Sequence, residues 1–177
     1  MKTTGKFCTL AACMLVGGAA QASLIATAAD GDTVGFVIPI NNDYAPMVGL
    51  AGFLGESVVA TGAAPINLTF EYLFKEATYT NKFRYDGADI FTTGVTAYGA
   101  TFSTVWAGGA GVLPFEFHIV DTGTSVTNPG NDGGGAQNFF TYWDGVSDSI
   151  LIALDDSGAG PDDNHDDMVI RITATRV

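Results

Sequence analysis

The stretch SILIALDDSGAGPDDNHDDMVIRITA, residues 149–174, places an acidic run between two alternating apolar segments. Apolar side chains recur there at every second position: Ile150, Ile152, Leu154, Met168, Ile170 and Ile172. Period two is typical of a β-strand with one buried face. The sequence therefore predicts a β-hairpin whose loop, residues 155–167, gathers six aspartates, with SGAGP supplying the bend.

The acidic run predicts a cation site. An ordinary aspartate has a pKa of about 3.9, so these carboxylates cannot all be neutral near pH 7. Ca²⁺ accepts about six to eight oxygens in flexible geometry. Mg²⁺ prefers a tighter octahedron, and zinc prefers Cys or His, of which only His165 is near. We predict a Ca²⁺ site with six ligand residues: Asp155, Asp156, Asp162, Asn164, Asp166 and Asp167.

The spacing matches only part of a known calcium loop. Asp162, Asn164 and Asp166 fit the start of an EF-hand loop, but Asp167 stands where that loop needs Gly. Its last ligand, Glu, is replaced by Thr173, and a strand follows instead of a helix. We therefore expect both ends of the hairpin loop to donate ligands, with residues 163 and 165 pointing outward. A solvated acidic loop is the alternative.

The rest of the chain has the pattern of an all-β protein. INLTFEYLF (66–74) places on one face the side chains of Leu68, Phe70, Tyr72 and Phe74. LPFEFHIV (113–120) similarly aligns Phe115, Phe117 and Ile119. Further candidate strands are TVGFVIPI (33–40), YGATFSTVWA (98–107) and NFFTYW (138–143). Glycine-rich turns separate them. We predict one β-sandwich or jelly-roll-like domain over residues 23–177.

The first 22 residues have the features of a signal peptide. A basic start is followed by the apolar run FCTLAACMLVGGAA, which is too short to span a bilayer, and by AQAS. We predict cleavage between Ala22 and Ser23, and a secreted or cell-surface protein without a membrane span. A lipid anchor at Cys13, after the lipobox-like LAAC, is the alternative.

Removal of the leader changes the charge and the redox chemistry. The full chain has a net charge of −12; without Lys2 and Lys6, five basic residues face nineteen acidic ones, giving −14. Such a chain repels nucleic acid and anionic lipid and attracts cations. Both cysteines, Cys8 and Cys13, leave with the leader, so no disulfide is available.

The segment ALDDSGAGPDDNHDDMVIRITA resembles the C-terminal signature of a group of secreted bacterial β-rich proteins, many of which end in a PEP-CTERM sorting tail. EATYTNKF and LPFEF are similar to the same group, and the resemblance extends from residue 67 to the end. It implies an exported β-rich domain that binds calcium and has no established enzymatic activity. Without a Pro-Glu-Pro tail, we expect a released or self-associating protein.

No catalytic motif stands out in the sequence. Glu116 and His118 share one strand face, where a solvent-exposed pair is the simpler reading. We therefore expect a non-catalytic structural protein of the cell surface or extracellular matrix. Residues 23–40 are either the first strand of this domain or a donor strand for a second copy of the chain. The alternative is a glycan-binding module that contacts polysaccharide through Trp106, Trp143 and Tyr142.

Overall fold

Fourteen strands and no helix form the regular structure of the residues that the computed structural model describes. These residues are 22–29, 36–39, 43–47, 50–62, 64–131, 137–143, 145, 147–157 and 165–177. Among them, no helix is long and apolar enough to cross a membrane. The predicted leader, up to residue 21, lies outside the described part.

The largest sheet has seven strands and contains the predicted hairpin. Its spatial order is β2 (Phe36–Pro39), β3 (Ala51–Leu54), β12 (Asn138–Tyr142), β13 (Ser149–Asp155), β14 (Met168–Arg176), β5 (Ile66–Phe74) and β8 (Thr101–Trp106). Every neighbouring pair is antiparallel. The central strands β13 and β14 pair from Ser149↔Thr173 to Leu154↔Met168, which confirms the hairpin.

Two smaller antiparallel sheets complete the fold. One has the order β11 (Thr124–Asn128), β10 (Phe115–Ile119), β6 (Asn81–Tyr85) and β7 (Ala88–Thr92). The other has the order β1 (Ile25–Ala29), β4 (Glu56–Ala60) and β9 (Gly111–Val112). The buried Asn128 side chain joins these two sheets, because it accepts from Val58 N and donates to Val58 O and Leu113 O.

One apolar core lies between the packed sheets and contains the inward faces predicted from the sequence. Aromatic rings dominate it: Phe70 and Phe83 lie 5.3 Å apart, and Phe117 and Phe139 lie 5.7 Å apart. All six apolar side chains of the hairpin named above are fully buried. The prediction of an all-β sandwich is therefore confirmed. Burial of such side chains contributes about 1.5–3 kcal/mol each.

A second, smaller core covers the opposite face of the seven-stranded sheet. Met47, Phe140, Ala153 and Val169 are buried there, with Tyr44, Leu50 and Phe74 packed around them. The prediction that Phe74 shares a face with Tyr72 is therefore wrong. The ladder between β14 and β5 shifts register at Val169/Ile170, and Phe74 stacks on Tyr44 instead. This packing holds residues 43–47 against the end of β5.

The segment predicted to donate a strand pairs within its own chain. β1 runs antiparallel to β4 over five residue pairs, and β2 pairs with β3. Leu24 and Ile25 are buried in the main core. β1 is nevertheless at the edge of its sheet, with β4 as its neighbour in the strand order.

Candidate metal centre

The acidic side chains lie where the β13–β14 hairpin leaves the seven-stranded sheet. Asp155 ends β13, and Asp166 and Asp167 come directly before β14. Asp167 N donates to Leu154 O at 3.1 Å, which continues the ladder beyond the last strand pair. The two ends of the loop are thus fixed close together by backbone pairing, as the sequence predicts.

Asp166 is the centre of a first carboxylate group. Its side chain is fully buried, and it lies beside the exposed side chains of Asp43 and Glu76. One carboxylate oxygen from each of the three lies within 4.8 Å of the others. Asp43 N donates to Asp166 Oδ2 at 2.6 Å, and Glu76 N donates to Asp166 O at 3.0 Å. Two backbone bonds to one aspartate therefore bring the other two carboxylates to it.

Asp156 and Asp167 form a second group at the same end of the hairpin. Asp156 is 3 % exposed, and its backbone N–H donates to Asp167 Oδ2 at 2.7 Å. Asn81, at the start of β6, donates through Nδ2 to Asp156 Oδ2 at 2.6 Å. Asn81 is completely buried, and its own Oδ1 has no hydrogen-bond partner among the described residues. The buried Asn81 amide thus contacts the Asp156 carboxylate and carries a carbonyl oxygen without a partner among the described residues.

Burial and mutual repulsion perturb the titration of this pair. Burial raises the pKa of Asp167 to about 8. The backbone hydrogen bond from Asp156 opposes this shift, and the charges of Asp156 and Asp155 add to it. Burial also raises the pKa of Asp156, against the hydrogen bond from Asn81. The ionised forms of Asp156 and Asp167 are therefore both disfavoured. A bound cation relieves this electrostatic cost.

The second group opens to the surface. A cavity of about 310 Å³ is lined by Thr78, Tyr79, Asp156, Ser157 and Asp167. A hydrated ion can therefore reach the carboxylates of the second group without unfolding of the hairpin. The first group is accessible as well, since Asp43 and Glu76 are exposed.

Asp155 and His165 stabilise the loop from inside the protein. Asp155 is fully buried at the end of β13 and accepts from Ser157 N at 3.1 Å. His165 is 2 % exposed, so the expectation that it points outward is wrong. Its Nε2 donates to Asn138 Oδ1 at 2.7 Å, and its ring lies 5.9 Å from that of Phe140. This histidine is therefore engaged in the core.

The predicted ligand set is brought together only in part. Asp155, Asp156, Asp166 and Asp167 converge at one end of the hairpin, whereas Asp162 and Asn164 lie outside the described residues, as does Asp163. Sequence reasoning missed the oxygens of Asp43, Glu76 and Asn81. Asp43 comes from one distant segment, Glu76 comes from the connection between β5 and β6, and Asn81 starts β6. Nothing in their local sequence marks them as ligands.

The other residues considered for chemistry are engaged elsewhere on the surface. Glu116 and His118 do share one face of β10, where Arg84 binds Glu116 at 3.0 Å and His118 contacts Ser125 Oγ at 3.0 Å. Lys82 and Arg84 both bind Asp89, and these hydrogen bonds lower the pKa of Asp89. This is an ordinary polar network on a partly exposed sheet face.

The aromatic residues proposed for glycan contact are partly buried. Trp106 and Trp143 pack against the main core, and their indole N–H groups donate to Gly109 O and Ser147 O. Tyr142 packs against the second core. Trp106 and Tyr142 therefore lie at opposite faces of the sheet and do not form one aromatic platform.

Comparison with known proteins gives no further identification. No protein-family model matches the chain, and no curated protein matches it.

Proposed function

We propose that this chain is a secreted, non-catalytic structural protein of the cell surface or extracellular matrix, and that Ca²⁺ bound at its last hairpin stabilises it. The proposal rests on one observation above all. Asp166 holds two further carboxylates, those of Asp43 and Glu76, within 4.8 Å of its own. A compact group of carboxylates in a chain of such negative charge is what a hard cation neutralises.

The chemistry of the donors favours calcium over a transition metal. The groups around Asp166 and Asp156 supply carboxylate oxygens, and Asn81 Oδ1 adds a buried amide oxygen. His165 already donates from Nε2 to Asn138, and zinc prefers nitrogen or sulfur ligands. Donors from several loops, some of them exposed, suit the high and variable coordination number of Ca²⁺ better than the strict octahedron of Mg²⁺.

Removing one buried charge tests the site. Asp166→Asn keeps an oxygen that can accept from Asp43 N but loses the charge. We expect its Kd for Ca²⁺, measured by isothermal titration calorimetry, to rise at least about tenfold, which corresponds to about 1.4 kcal/mol. For the wild-type protein, Ca²⁺ at about 100 times its Kd adds about 2.7 kcal/mol to the free energy of unfolding, or roughly 5–10 °C in Tm.

The matched control is Asp86→Asn, in the turn after β6, at the opposite end of that strand from Asn81. Asp86 has a φ of 49°, which asparagine tolerates, so the control removes a charge without strain. It should leave the Kd for Ca²⁺ unchanged. In chelator, Asp166→Asn should melt no lower than wild type, because it relieves repulsion. A wild-type Tm that is identical in Ca²⁺ and in chelator would contradict the proposal.

We further propose that copies of the chain associate by strand complementation through β1. Because β1 is an edge strand, it can leave the β4 of its own chain and pair with β4 of a second copy in the same register. Such an exchange requires no new interface. Deleting the segment is a poor test, since Leu24 and Ile25 belong to the core. Cross-linking in the native register is a better one.

Ala26 and Val59 face each other across β1 and β4, so Ala26→Cys combined with Val59→Cys places two thiols in position for a disulfide. In a protein lacking Cys8 and Cys13, strand exchange predicts a ladder of covalent oligomers on oxidation. Ala26→Cys alone is the control and should give at most a dimer. Exclusive formation of intramolecular disulfides, under conditions where filaments are seen by electron microscopy, would exclude β1 as the exchanged strand.

A further inference from the structure

The strand β8 is a free edge of the seven-stranded sheet: it pairs with β5 and with no other strand in the described part of the chain. With six residues, Thr101–Trp106, it is the longest edge strand that the structure describes. It carries no charge, whereas two other edges are protected, since Pro39 ends β2 and Asp89 lies in β7. An uncharged edge of this length is a surface to which a further strand can add.

Hydrogen bonds next to β8 show which of its backbone groups are free. Tyr72 N donates to Ala100 O at 2.9 Å, so the C=O of residue 100 points toward β5. The direction of these groups alternates along a strand, and the same register continues through β8. Even-numbered residues of β8 therefore pair with β5. The residues whose N–H and C=O groups point to the free edge are Thr101, Ser103 and Val105.

The side chains of β8 alternate in the same way. Those of the odd-numbered residues lie on the outer face of the sheet and are exposed, with Val105 at 55 %. On the inner face, Phe102 and Trp106 pack against the main core. The core thus holds the strand in place, and its free edge is bordered by short, neutral side chains.

This free edge is complementary to itself. When two copies of β8 pair antiparallel about a two-fold axis at Ser103, each Ser103 faces that of the second copy, and Thr101 faces Val105 of the second copy. These are the residues whose N–H and C=O groups point outward, so each facing pair can exchange both backbone hydrogen bonds. The register leaves none of their backbone groups unpaired.

The side chains also match in this register. Thr101 beside Val105 of the second copy is a pair of β-branched residues, which favours cross-strand packing. Ser103 Oγ lies 3.0 Å from Thr69 Oγ1, and the two-fold axis continues this row of hydroxyls into the second copy. A second copy therefore fits the edge in its side chains as well as in its backbone.

Electrostatics limit the strength of such a contact. Glu71, which faces Thr101 from β5, is paired with Arg171 at 2.9 Å, so its charge is compensated beside the edge. The whole chain has a net charge of −12, however, and two copies repel each other at a distance. A contact along one short strand is small, so we expect a weak dimer that salt strengthens by screening this repulsion.

We propose that two copies of this chain pair β8 to β8 in a two-fold symmetric dimer, which continues the seven-stranded sheet across the interface. The contact is distinct from strand exchange through β1, which uses the edge of another sheet, and it does not require Ca²⁺. Where both contacts form, exchange through β1 links one dimer to the next and extends the assembly.

Sedimentation equilibrium of the purified protein in chelator measures the dimer directly. The weight-average mass should rise from that of the monomer toward twice that value as the concentration approaches about 1 mM. The Kd for dimerisation should fall at least about twofold between about 0.05 M and about 0.5 M NaCl, because screening weakens the repulsion.

Variants at the two-fold axis test the edge. Ser103→Pro removes an N–H that points away from β5, which an edge strand tolerates, and should raise the Kd for dimerisation at least about tenfold. Ser103→Lys keeps the backbone and places two like charges opposite each other, so it should weaken the dimer even where the proline variant folds poorly. Ser103→Ala is the matched control and should change the Kd less than about twofold, since it keeps the N–H.

Cysteine substitutions test the register. In a chain with Cys8→Ser and Cys13→Ser, oxidation of Ser103→Cys should give a covalent dimer, because facing Cα atoms about 5.5 Å apart permit a disulfide. Thr101→Cys should give a covalent dimer only after mixing with the Val105→Cys protein, since these two positions face each other and not themselves.

A weight-average mass equal to that of the monomer at every concentration up to about 1 mM would overturn the proposal. A dimer that Ser103→Pro and Ser103→Lys both leave unchanged would also overturn it, because the interface would then lie elsewhere. Closing the disulfide of Ala26→Cys with Val59→Cys within one chain prevents exchange of β1. The β8 dimer should persist in that protein, and its loss there would assign the association to β1 instead.

Discussion

Individual aspartates in this chain differ in what surrounds them, although the sequence presents them as one run. Asp155 and Asp166 are fully buried, Asp156 nearly so, and Asp167 is partly buried. Backbone N–H groups donate to the carboxylates of Asp155, Asp166 and Asp167, while Asn81 donates to that of Asp156. These bonds hold the carboxylates in place but do not neutralise them, so the electrostatic cost remains until a proton or a cation arrives.

The electrostatic cost of ionising Asp167 makes the stability of the folded chain depend on pH. Its pKa is about 8 in the folded chain, against an ordinary value of 3.8. Between these values the folded chain binds more protons than the unfolded chain, so the free energy of unfolding falls as the pH rises. In chelator, we expect the Tm of wild type to fall relative to that of Asp167→Asn from about pH 4 to about pH 8.

Subtracting the Asp167→Asn curve removes the groups that do not contact Asp167, including Asp89, whose pKa is lowered and acts in the opposite direction. Saturating Ca²⁺ should flatten the difference, because the ion favours the ionised carboxylate. Parallel melting curves for the two proteins in chelator would mean that Asp167 titrates normally.

At the scale of elements, period two in the sequence predicts the strands with one buried face. It identifies β5, β10, β13 and β14, since alternate side chains there enter the main core. It fails where both faces are covered: Ala153 and Val169 are buried in the second core although they point away from the first. A local pattern cannot reveal a second layer that Tyr44, Met47 and Leu50 supply from another part of the chain.

The hairpin of β6 and β7 was predictable from its turn but was not predicted. Asp86 and Gly87 join the two strands with φ values of 49° and 77°, the positive pair that an Asp-Gly turn provides. The alternating Phe83 and Tyr85 precede it. By contrast, β9 has two residues and β11 is mostly polar and exposed, so neither has a sequence pattern strong enough to predict.

At the scale of the whole molecule, the candidate metal centre can be predicted only in part from the sequence. The hairpin supplies carboxylates that are neighbours along the chain, and these were predicted. Asp43, Glu76 and Asn81 reach the same place because β5 pairs with β14, β6 follows β5, and the segment from residue 43 packs over the second core. Such convergence depends on long-range strand pairing, which no local spacing encodes.

This convergence means that Ca²⁺ should stabilise one part of the molecule more than the rest. Residues 43–47 are attached through Asp43 N to Asp166, through stacking of Tyr44 on Phe74 at 5.3 Å, and through the buried Met47. Without a cation, repulsion among the three carboxylates opposes the first of these contacts. Local opening of the segment then requires less free energy than global unfolding.

Hydrogen exchange measured residue by residue can detect this difference. In chelator, we expect the amides of Asp43, Met47 and Leu50 to exchange at least about tenfold faster than in Ca²⁺, equivalent to about 1.4 kcal/mol of local stability. The amides of Ile152 and Ile170, in the central strands, should change less. In Asp43→Asn the segment should lose most of its response to Ca²⁺, because one of the three charges is gone. Equal protection of all these amides by Ca²⁺ would instead mean that the ion stabilises only the globally folded state, and that the contact between residue 43 and the hairpin does not depend on it.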